Sequence, residues 1–176
     1  MSSKIIENYH LMNELGAGQY GKVFRAEDQK TRQTVAVKVM NVQKFKSTPK
    51  LSEFTNNEIS ILSKINSPHI IRFVEMLRTM NNYYLVYEYC NGGTLGQVLE
   101  KRKFLSEPEA LTIFAQIMEA FKVLVKENIL HRDLKPTNIL FHDGIIKLAD
   151  FGFCKELMRE TDMTQTMVGS PIYMAP

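Results

Sequence analysis

Residues 9–45 consist of short apolar runs separated by polar turns. The runs at 23–26 and 35–39 are rich in Val, Ala and Phe, which is typical of β-strands. The polar residues at 27–33 between them suit a hairpin connection. The pattern therefore predicts that the chain begins with strands joined by tight turns.

A helix and a second hairpin are predicted next. Apolar residues in 52–64 roughly follow helical spacing, and Pro68 closes the segment. The runs at 70–74 and 83–88 are rich in strand-forming residues and flank an Asn-Asn turn signal at 81–82. These two strands are expected to join the same small sheet.

The pattern changes at the Asn-Gly-Gly sequence at 91–93, which interrupts the strand-like region. A capping-box sequence at 106–109 then predicts the start of a long helix over 108–128. Apolar residues recur along this helix at steps of three and four and form one wide face. They are Ala110, Leu111, Phe114, Ile117, Met118, Phe121, Leu124 and Val125.

The composition does little to define the fold, but it argues against some classes of partner, nucleic acid among them. The chain has 176 residues, 44% of them hydrophobic, and a net charge of +3 from 22 basic and 19 acidic side chains. Lys44, Lys46 and Lys50 cluster only loosely, so nucleic acid is not an expected partner. Cys90 and Cys154 form neither a metal-site spacing nor a disulfide framework, and no apolar run has the length of a membrane span or a signal peptide. We expect an intracellular, cytoplasmic protein without a membrane span.

Six short motifs occur in one order along the chain. They are Leu15-Gly16-Ala17-Gly18-Gln19-Tyr20-Gly21-Lys22-Val23, Val35-Ala36-Val37-Lys38, Glu58, His131-Arg132-Asp133-Leu134-Lys135-Pro136-Thr137-Asn138, Asp150-Phe151-Gly152 and Ala175-Pro176. The glycine motif lies between strand segments. A dinucleotide-binding fingerprint needs a helix to begin at the glycines, so that interpretation is excluded.

The ordered series resembles the signature set of protein kinases, from about residue 9 to the last residue. The resemblance implies an α+β, two-lobe fold with a complete five-stranded antiparallel sheet and a regulatory helix, followed by an incomplete, mostly helical C-terminal lobe. It also implies a set of boundaries. They are a partial kinase domain at 9–176, an N-lobe at 9–89, a hinge at 90–93, a truncated C-lobe at 94–176 and an activation segment at 150–176.

For ATP, the resemblance assigns the glycine loop and Lys38 to the phosphates, and pairs Lys38 with Glu58. An edge-strand lysine and a solvated acid are the alternatives, and Glu53 is a rival on the same predicted helix. The residues implied around the nucleotide are Leu15, Gly16, Ala17, Gly18, Gly21, Val23, Ala36 and Leu140, with the backbone at Glu88 and Cys90. Tyr87 is expected to restrict access behind the adenine, although the apolar members of this set could be plain core.

For phosphoryl transfer, the resemblance makes Asp133 the catalytic base and Lys135 a group that stabilises the transferring phosphoryl. Asn138 and Asp150 are hard oxygen ligands suited to Mg²⁺. A lone Asp-Phe-Gly sequence would be an ordinary turn, but the strand-like residues 145–149 precede it, as the motif requires. The implied cofactors are ATP and Mg²⁺.

Lys135, two residues after Asp133, resembles the serine/threonine branch of the family, and Ser170 agrees with it. The stretch 168–176 is similar to Unc-51-like autophagy kinases and less closely to NimA-related kinases. If that likeness holds, Thr166 is the expected activating phosphosite, because its phosphate could pair with Arg132. Thr161 and Thr164 are rivals, and an unmodified exposed threonine is the alternative.

The chain stops after Ala175-Pro176, where kinases normally continue with a glutamate and further helices. We therefore expect an incomplete domain, with the apolar face of the 108–128 helix exposed and with low stability or activity by itself. The complete form is expected to phosphorylate Ser and Thr in protein substrates, and its regulatory partners are not indicated. A nucleotide-binding scaffold or a truncated regulator is the alternative. Cys154 is expected to be a buried cysteine, with a reactive thiol as the alternative.

Overall fold

The computed structural model of the chain describes residues 4–18, 21–157 and 168–173. The contacts divide the chain into two compact units. The first unit consists of Met1–Glu53 and Arg72–Tyr89, and the second consists of Phe54–Ile71 and Cys90–Pro176. The lobe and hinge boundaries implied by the resemblance stay a prediction.

An antiparallel sheet forms the first unit, and six strands belong to it among the described residues, in the order β1-β2-β3-β4-β6-β5. Five strands were predicted, and that number is wrong because Lys4–Ile6 pairs with Tyr9–Leu11 ahead of the first predicted strand. The strands are β1 Lys4–Ile6, β2 Tyr9–Gly18, β3 Gly21–Asp28, β4 Thr34–Asn41, β5 Phe73–Arg78 and β6 Asn82–Glu88.

The strand predicted at 70–74 begins later, at Phe73, and continues to Arg78. Ile70 and Ile71 are buried in the second unit instead, where the Ile71 N–H donates a hydrogen bond to the Leu148 carbonyl at 2.9 Å. Two adjacent buried isoleucines resemble a strand in the sequence. Here they form a connection between elements.

The two faces of the sheet have different roles because neighbouring residues of a strand point to opposite faces. Val35 and Val37 lie on one face, within a buried cluster of apolar side chains. Ala36 and Lys38 alternate with them and therefore lie on the other face. The remaining buried members of the cluster are Ile6, Tyr9, Leu11, Ala26, Tyr84 and Val86.

The described helices are α1 Val42–Ser47, α2 Pro49–Leu62, α3 Leu95–Arg102 and α4 Glu107–Lys126. Helices α2 and α4 lie where the sequence predicts helices, whereas α1 and α3 were not predicted. Both missed helices have a capping signal in the sequence. Asn41 accepts hydrogen bonds from the first turn of α1, and Thr94 and Gln97 form a capping box at α3.

The capping box predicted for α4 is formed by Ser106 and Glu109. The Glu109 carboxylate accepts hydrogen bonds from the Ser106 N–H at 3.0 Å and from its hydroxyl at 2.6 Å. Arg102 at the end of α3 donates two hydrogen bonds to the same carboxylate, at 2.8 and 2.9 Å. These bonds, those of Arg102 first, lower the pKa of Glu109 to about 2. The contact of Arg102 with Glu109 therefore connects the end of α3 to the first turn of α4.

Short strands complete the second unit: β7 Ile129–Leu130, β8 Ile139–His142, β9 Ile145–Leu148 and β10 Lys155–Glu156. Strand β8 pairs with β9, and β7 pairs with β10. The β8–β9 hairpin is preceded by Asn138 and followed by Asp150. The β8–β9 hairpin therefore connects Asn138 to Asp150, which are twelve residues apart in sequence.

Helix α4 buries only part of its apolar face. Ala120 and Leu124 are fully buried, whereas Leu111, Phe114, Met118 and Val125 are exposed, as predicted for this helix. In the part of the chain that the structure describes, no helix has the length and hydropathy needed to cross a membrane.

We predict that Gly21→Ala destabilises the first unit. A Cβ atom at Gly21 would lie 2.2 Å from the Val39 carbonyl oxygen, so strands β3 and β4 would have to separate. Gly16→Ala is the matched control, because a Cβ there meets no atom within 4 Å. Denaturant unfolding should show a loss of about 1–3 kcal/mol for Gly21→Ala and of less than about 0.5 kcal/mol for Gly16→Ala. Equal unfolding midpoints for the two variants would show that the close approach does not matter.

Candidate functional site

The first unit gathers several of the predicted nucleotide-binding residues on one face of the sheet. Lys38 lies directly opposite Val23 on β3, and Ala36 lies directly opposite Tyr87 on β6. Directly paired residues share a face, and positions 36 and 38 share a face because they are two residues apart. Leu85, the other cross-strand neighbour of Lys38, is fully buried. Lys38 thus shares this face with the apolar side chains of Val23, Ala36 and Leu85, and Arg25, directly opposite Ala36, lies on the same face.

The glycine motif forms the hairpin between β2 and β3. Gly16 pairs with Val23, and Gly18 pairs with Gly21. A Cβ atom added at Gly16 or Gly18 would meet nothing within 4 Å, so open space lies beside this backbone. Leu15 and Ala17 on the same strand are exposed. A phosphate could therefore reach the backbone N–H groups of the hairpin without displacing a side chain.

Tyr87 and Glu88 end β6 in fixed positions. The Tyr87 ring is buried and packs edge-on against Phe73, with the ring centroids 5.7 Å apart. The Glu88 N–H donates to the Arg72 carbonyl at 3.0 Å, and its carboxylate accepts from the Arg72 N–H at 2.8 Å. Cys90 follows at the start of the second unit. A rigid strand end suits residues expected to contact a flat base.

Glu58 lies on α2 and is only 5% exposed, whereas Glu53 on the same helix is exposed. A buried carboxylate needs a partner more than an exposed one does. The burial therefore favours Glu58 over Glu53 as the acid of the predicted ion pair. The pairing with Lys38, which lies in the first unit, stays a prediction.

The second unit brings three predicted site residues together around the buried carboxylate of Asp133. Its Oδ2 accepts hydrogen bonds from the Lys135 Nζ at 2.6 Å and from the Asn138 Nδ2 at 3.0 Å. Its Oδ1 accepts from the Ser170 hydroxyl at 2.8 Å. The Asn138 Nδ2 also donates to the Asp133 main-chain carbonyl at 2.9 Å. Both carboxylate oxygens thus have donors, and the Lys135 ammonium contacts one of them, Oδ2.

Ser170 is the member of this cluster that the sequence did not assign to the site. Its hydroxyl contacts Asp133 and also accepts a hydrogen bond from the Lys135 Nζ at 3.1 Å. From the sequence alone, Ser170 indicates only the serine/threonine branch of the family. It lies 35 and 37 residues from these partners, so no local motif could reveal the contact.

This arrangement suits proton abstraction from an alcohol. A general base must lie within about 2.6–3.2 Å of the oxygen whose proton it accepts. The Ser170 hydroxyl meets that distance at Asp133 Oδ1, so an aliphatic hydroxyl fits beside this carboxylate. Lys135 adds a positive charge next to the same oxygen atoms.

His131 connects this cluster to the residues that follow β9. Its Nε2 donates to the Ala149 carbonyl at 3.2 Å, and its Nδ1 accepts from the Asp133 N–H at 3.3 Å. The two bonds together require the neutral ring, and burial correspondingly lowers the pKa of His131. The ring also packs edge-on against the fully buried Phe151 at 5.0 Å. His131 therefore acts as a structural link.

Asp150 and Asn138 offer oxygen atoms of the kind that Mg²⁺ prefers. The Asn138 Nδ2 is used by Asp133, so the amide oxygen Oδ1 is the end that can face a cation. The Ala149 N–H donates to the Asn138 carbonyl at 2.9 Å, which ties the residue before Asp150 to Asn138. Asp150 has a left-handed backbone with φ of 64°. The donor set fits a magnesium ion that takes its remaining ligands from phosphate and water.

No cluster of three or more His, Cys, Asp or Glu side chains among the described residues could hold a metal ion. Leu140, assigned to the adenine pocket, lies on β8 and pairs with Lys147 on β9. Leu140 therefore lies in the hairpin, two residues after Asn138, which precedes it.

Arg132 also has a left-handed backbone, with φ of 64°. Its Nε donates to the Phe153 carbonyl at 2.7 Å, whereas its Nη1 is buried and has no hydrogen-bond partner among the residues that the structure describes. The predicted phosphosite Thr166, and its rivals Thr161 and Thr164, lie outside the described residues.

Cys154 is buried, as predicted, and its thiol lies 3.5 Å from the His131 carbonyl. Burial, together with the nearby charge of Asp150, raises the pKa of the Cys154 thiol. A raised pKa disfavours the reactive thiolate. The alternative of a reactive cysteine is therefore not supported.

Comparison with known proteins identifies one family over most of the chain. Residues 9–176 match the protein kinase domain. The Arabidopsis thaliana serine/threonine-protein kinase ATG1b is 36% identical over 179 aligned residues, which cover 99% of this chain and 25% of that protein.

Other kinases match at a similar level. The Dictyostelium discoideum probable serine/threonine-protein kinase fhkD is 36% identical over 97% of this chain and 23% of its own length. The serine/threonine protein kinase OSK3 of Oryza sativa subsp. indica is 38% identical over 99% of this chain and 34% of its own length. The chain spans a quarter to a third of the length of these relatives.

We predict that acid destabilises the protein through His131. The folded protein keeps this ring neutral, whereas the unfolded chain takes up a proton near pH 6.5, so lowering the pH below about 6.5 favours unfolding. The loss from this one group is at most about 1.4 kcal/mol per pH unit. The His131→Phe variant keeps a ring beside Phe151 but cannot titrate, and its unfolding free energy should fall less steeply. Denaturant unfolding between pH 7 and pH 5 checks this, and identical slopes for both proteins would refute it.

Proposed function

Because the chain belongs to the protein kinase family, we propose that the protein, in its complete form, transfers the γ-phosphoryl group of ATP to serine and threonine hydroxyls of protein substrates. Relatives named serine/threonine kinases align over almost the whole chain. The single observation that carries the proposal is the hydroxyl of Ser170 at 2.8 Å from the buried carboxylate of Asp133, with Lys135 bound to both.

In the proposed reaction, Asp133 accepts the proton of the substrate hydroxyl and orients its oxygen towards the γ-phosphorus. The new P–O bond forms as the bond between the γ-phosphorus and the β–γ bridging oxygen breaks, and ADP leaves. Lys135 stabilises the negative charge on the transferring group. Asn138 holds Asp133 in position through two hydrogen bonds.

Asn138 Oδ1 and the Asp150 carboxylate are proposed to hold Mg²⁺, which when bound neutralises charge on the ATP phosphates. The first unit is proposed to bind the nucleotide through Lys38 and the backbone of Gly16, Gly18 and Gly21. Support comes from the shared sheet face of Val23, Ala36 and Lys38, and from the open space beside Gly16 and Gly18.

The remaining assignments follow the same family pattern. Glu58 is proposed to orient Lys38, and Leu15, Val23, Ala36 and Leu140 to contact adenine. The first unit is proposed to correspond to the N-lobe and the second to the C-lobe. Within the described residues neither Cys90 nor Cys154 is in a disulfide, which fits a reducing compartment, and we propose a cytoplasmic location.

We also propose that a phosphate on Thr166 pairs with Arg132. The buried Nη1 of Arg132 makes no hydrogen bond within the described ranges, and a phosphate oxygen would supply one. Relatives with different names match at 36–38% identity, so the similarity favours serine/threonine kinases as a group over one subfamily.

We predict that Asp133→Asn abolishes phosphoryl transfer without abolishing ATP binding. The amide keeps the size of the side chain but cannot accept a proton, so kcat should fall by about 100-fold to 10,000-fold. Radiolabelled ATP and a generic serine-containing protein substrate measure the rate, and fluorescent nucleotide binding measures affinity.

Asp143→Asn is the matched control, because Asp143 lies in the exposed turn of the β8–β9 hairpin and pairs with Asn91 and His142 at the surface. It should leave kcat unchanged. Transfer by Asp133→Asn at the rate of the control would disprove the role of the base. Nucleotide binding with no transfer by the unaltered protein would instead favour the scaffold.

A further inference from the structure

A cavity of about 550 Å³ opens on the first unit beside the glycine hairpin. Its lining comes from β1, β2, β3, β4, α1 and the start of β6. Ala17, Gly18 and Gly21 of the glycine motif are among the lining residues. The volume lies within the range of about 300–1,000 Å³ that is usual for ligand sites.

The cavity lies on the opposite face of the sheet from Lys38. Lys22 and Val39, which line it, are directly paired on β3 and β4, and so share one face. Val39 follows Lys38 along β4, so the two side chains point to opposite faces. The cavity is therefore distinct from the face that carries Val23, Ala36 and Lys38.

The floor of the cavity is apolar. Leu11, Phe24 and Val39 line it, and all three belong to or pack against the buried cluster of the sheet. Met12, a further lining residue, is exposed. The cavity thus gives access to the end of the hydrophobic cluster, where an incoming apolar side chain would be removed from water.

Among the described residues, the charged side chains that line the cavity are basic, and the Glu14 carboxylate lies beside one of them, Lys22. Lys4, Lys22 and Lys44 line the cavity, and none of the lining residues that the structure describes is Asp or Glu. Lys22 pairs with Glu14 at 2.8 Å, but both side chains are largely exposed, and such pairs are weak. The Lys4 ammonium lies 5.4 Å from the centre of the Tyr84 ring. The surroundings favour an anionic ligand.

We propose that this cavity is a docking site for an acidic peptide segment that carries one apolar side chain. The apolar side chain would pack on Leu11, Phe24 and Val39. A ligand with several separate carboxylates fits lysines that lie on three separate elements, β1, β3 and α1. A peptide with successive acidic residues supplies these, and binding does not depend on the proposed phosphoryl transfer.

The test uses the 176-residue chain and a fluorescent pentapeptide with a central phenylalanine flanked on each side by two glutamates. Fluorescence anisotropy should show saturable binding that weakens as salt is raised. Replacing the central phenylalanine with alanine should weaken binding by about tenfold or more, because the apolar contact is lost. Binding that is indifferent to this replacement would overturn the proposal.

Paired charge reversals locate the site. The double variant Lys22→Glu/Lys44→Glu should weaken peptide binding by about tenfold or more. The matched control Lys30→Glu/Lys101→Glu changes the net charge equally, but its two lysines do not line the cavity. It should bind the peptide with less than about a twofold change. Unfolding midpoints of both variants confirm that they are folded.

Equal weakening by the two double variants would mean that only general charge attracts the peptide, and would overturn the proposal. Tighter binding of a single-stranded oligonucleotide or of anionic lipid vesicles than of the peptide, lost in Lys22→Glu/Lys44→Glu, would assign the cavity to another class of partner. That result would also overturn it.

Discussion

The carboxylate of Asp133 is the charge around which the second unit is arranged. A buried anion is costly unless hydrogen bonds or cations compensate it. Lys135, Asn138 and Ser170 provide that compensation, and in doing so they bring the segment 168–173 against the loop that contains Asp133. His131 then holds the main chain of the same loop against the end of β9. Satisfying one buried charge thus positions a base, a cation, an amide and a hydroxyl.

The sequence predicted the parts of this site that are local. Asp133, Lys135 and Asn138 lie within six consecutive residues, so their motif indicates their proximity directly. The contact with Ser170 depends on a chain return of 35 residues or more, and short-range patterns carry no information about it. The same lack of long-range information explains why the sequence predicted a strand at 70–74, although the strand begins at Phe73. Ile70 and Ile71 have strand-like composition, but contacts with the hairpin after residue 138 determine where they are buried.

The sheet of the first unit shows how alternation separates two surfaces. Lys38 and Val39 are neighbours in sequence and lie on opposite faces, one with Val23 and Ala36 and the other at the lysine-lined cavity. The alternation along β4 could be predicted from the sequence. The cavity could not, because Lys4, Lys22 and Lys44 follow no common spacing and meet only through strand pairing and the start of α1. Strand β1 was missed because it has only three residues.

We propose that these residues serve a metal-bound nucleotide, and the orientation of Asn138 supports this most directly. Its amide nitrogen faces Asp133, so its oxygen can join the Asp150 carboxylate in holding magnesium. Calorimetric titration of the protein with ATP, with and without Mg²⁺, tests this directly. The account predicts that ATP binds more tightly with Mg²⁺ and that Asp150→Asn removes this gain. The same ATP affinity with and without Mg²⁺, or no ATP binding at all, would contradict it.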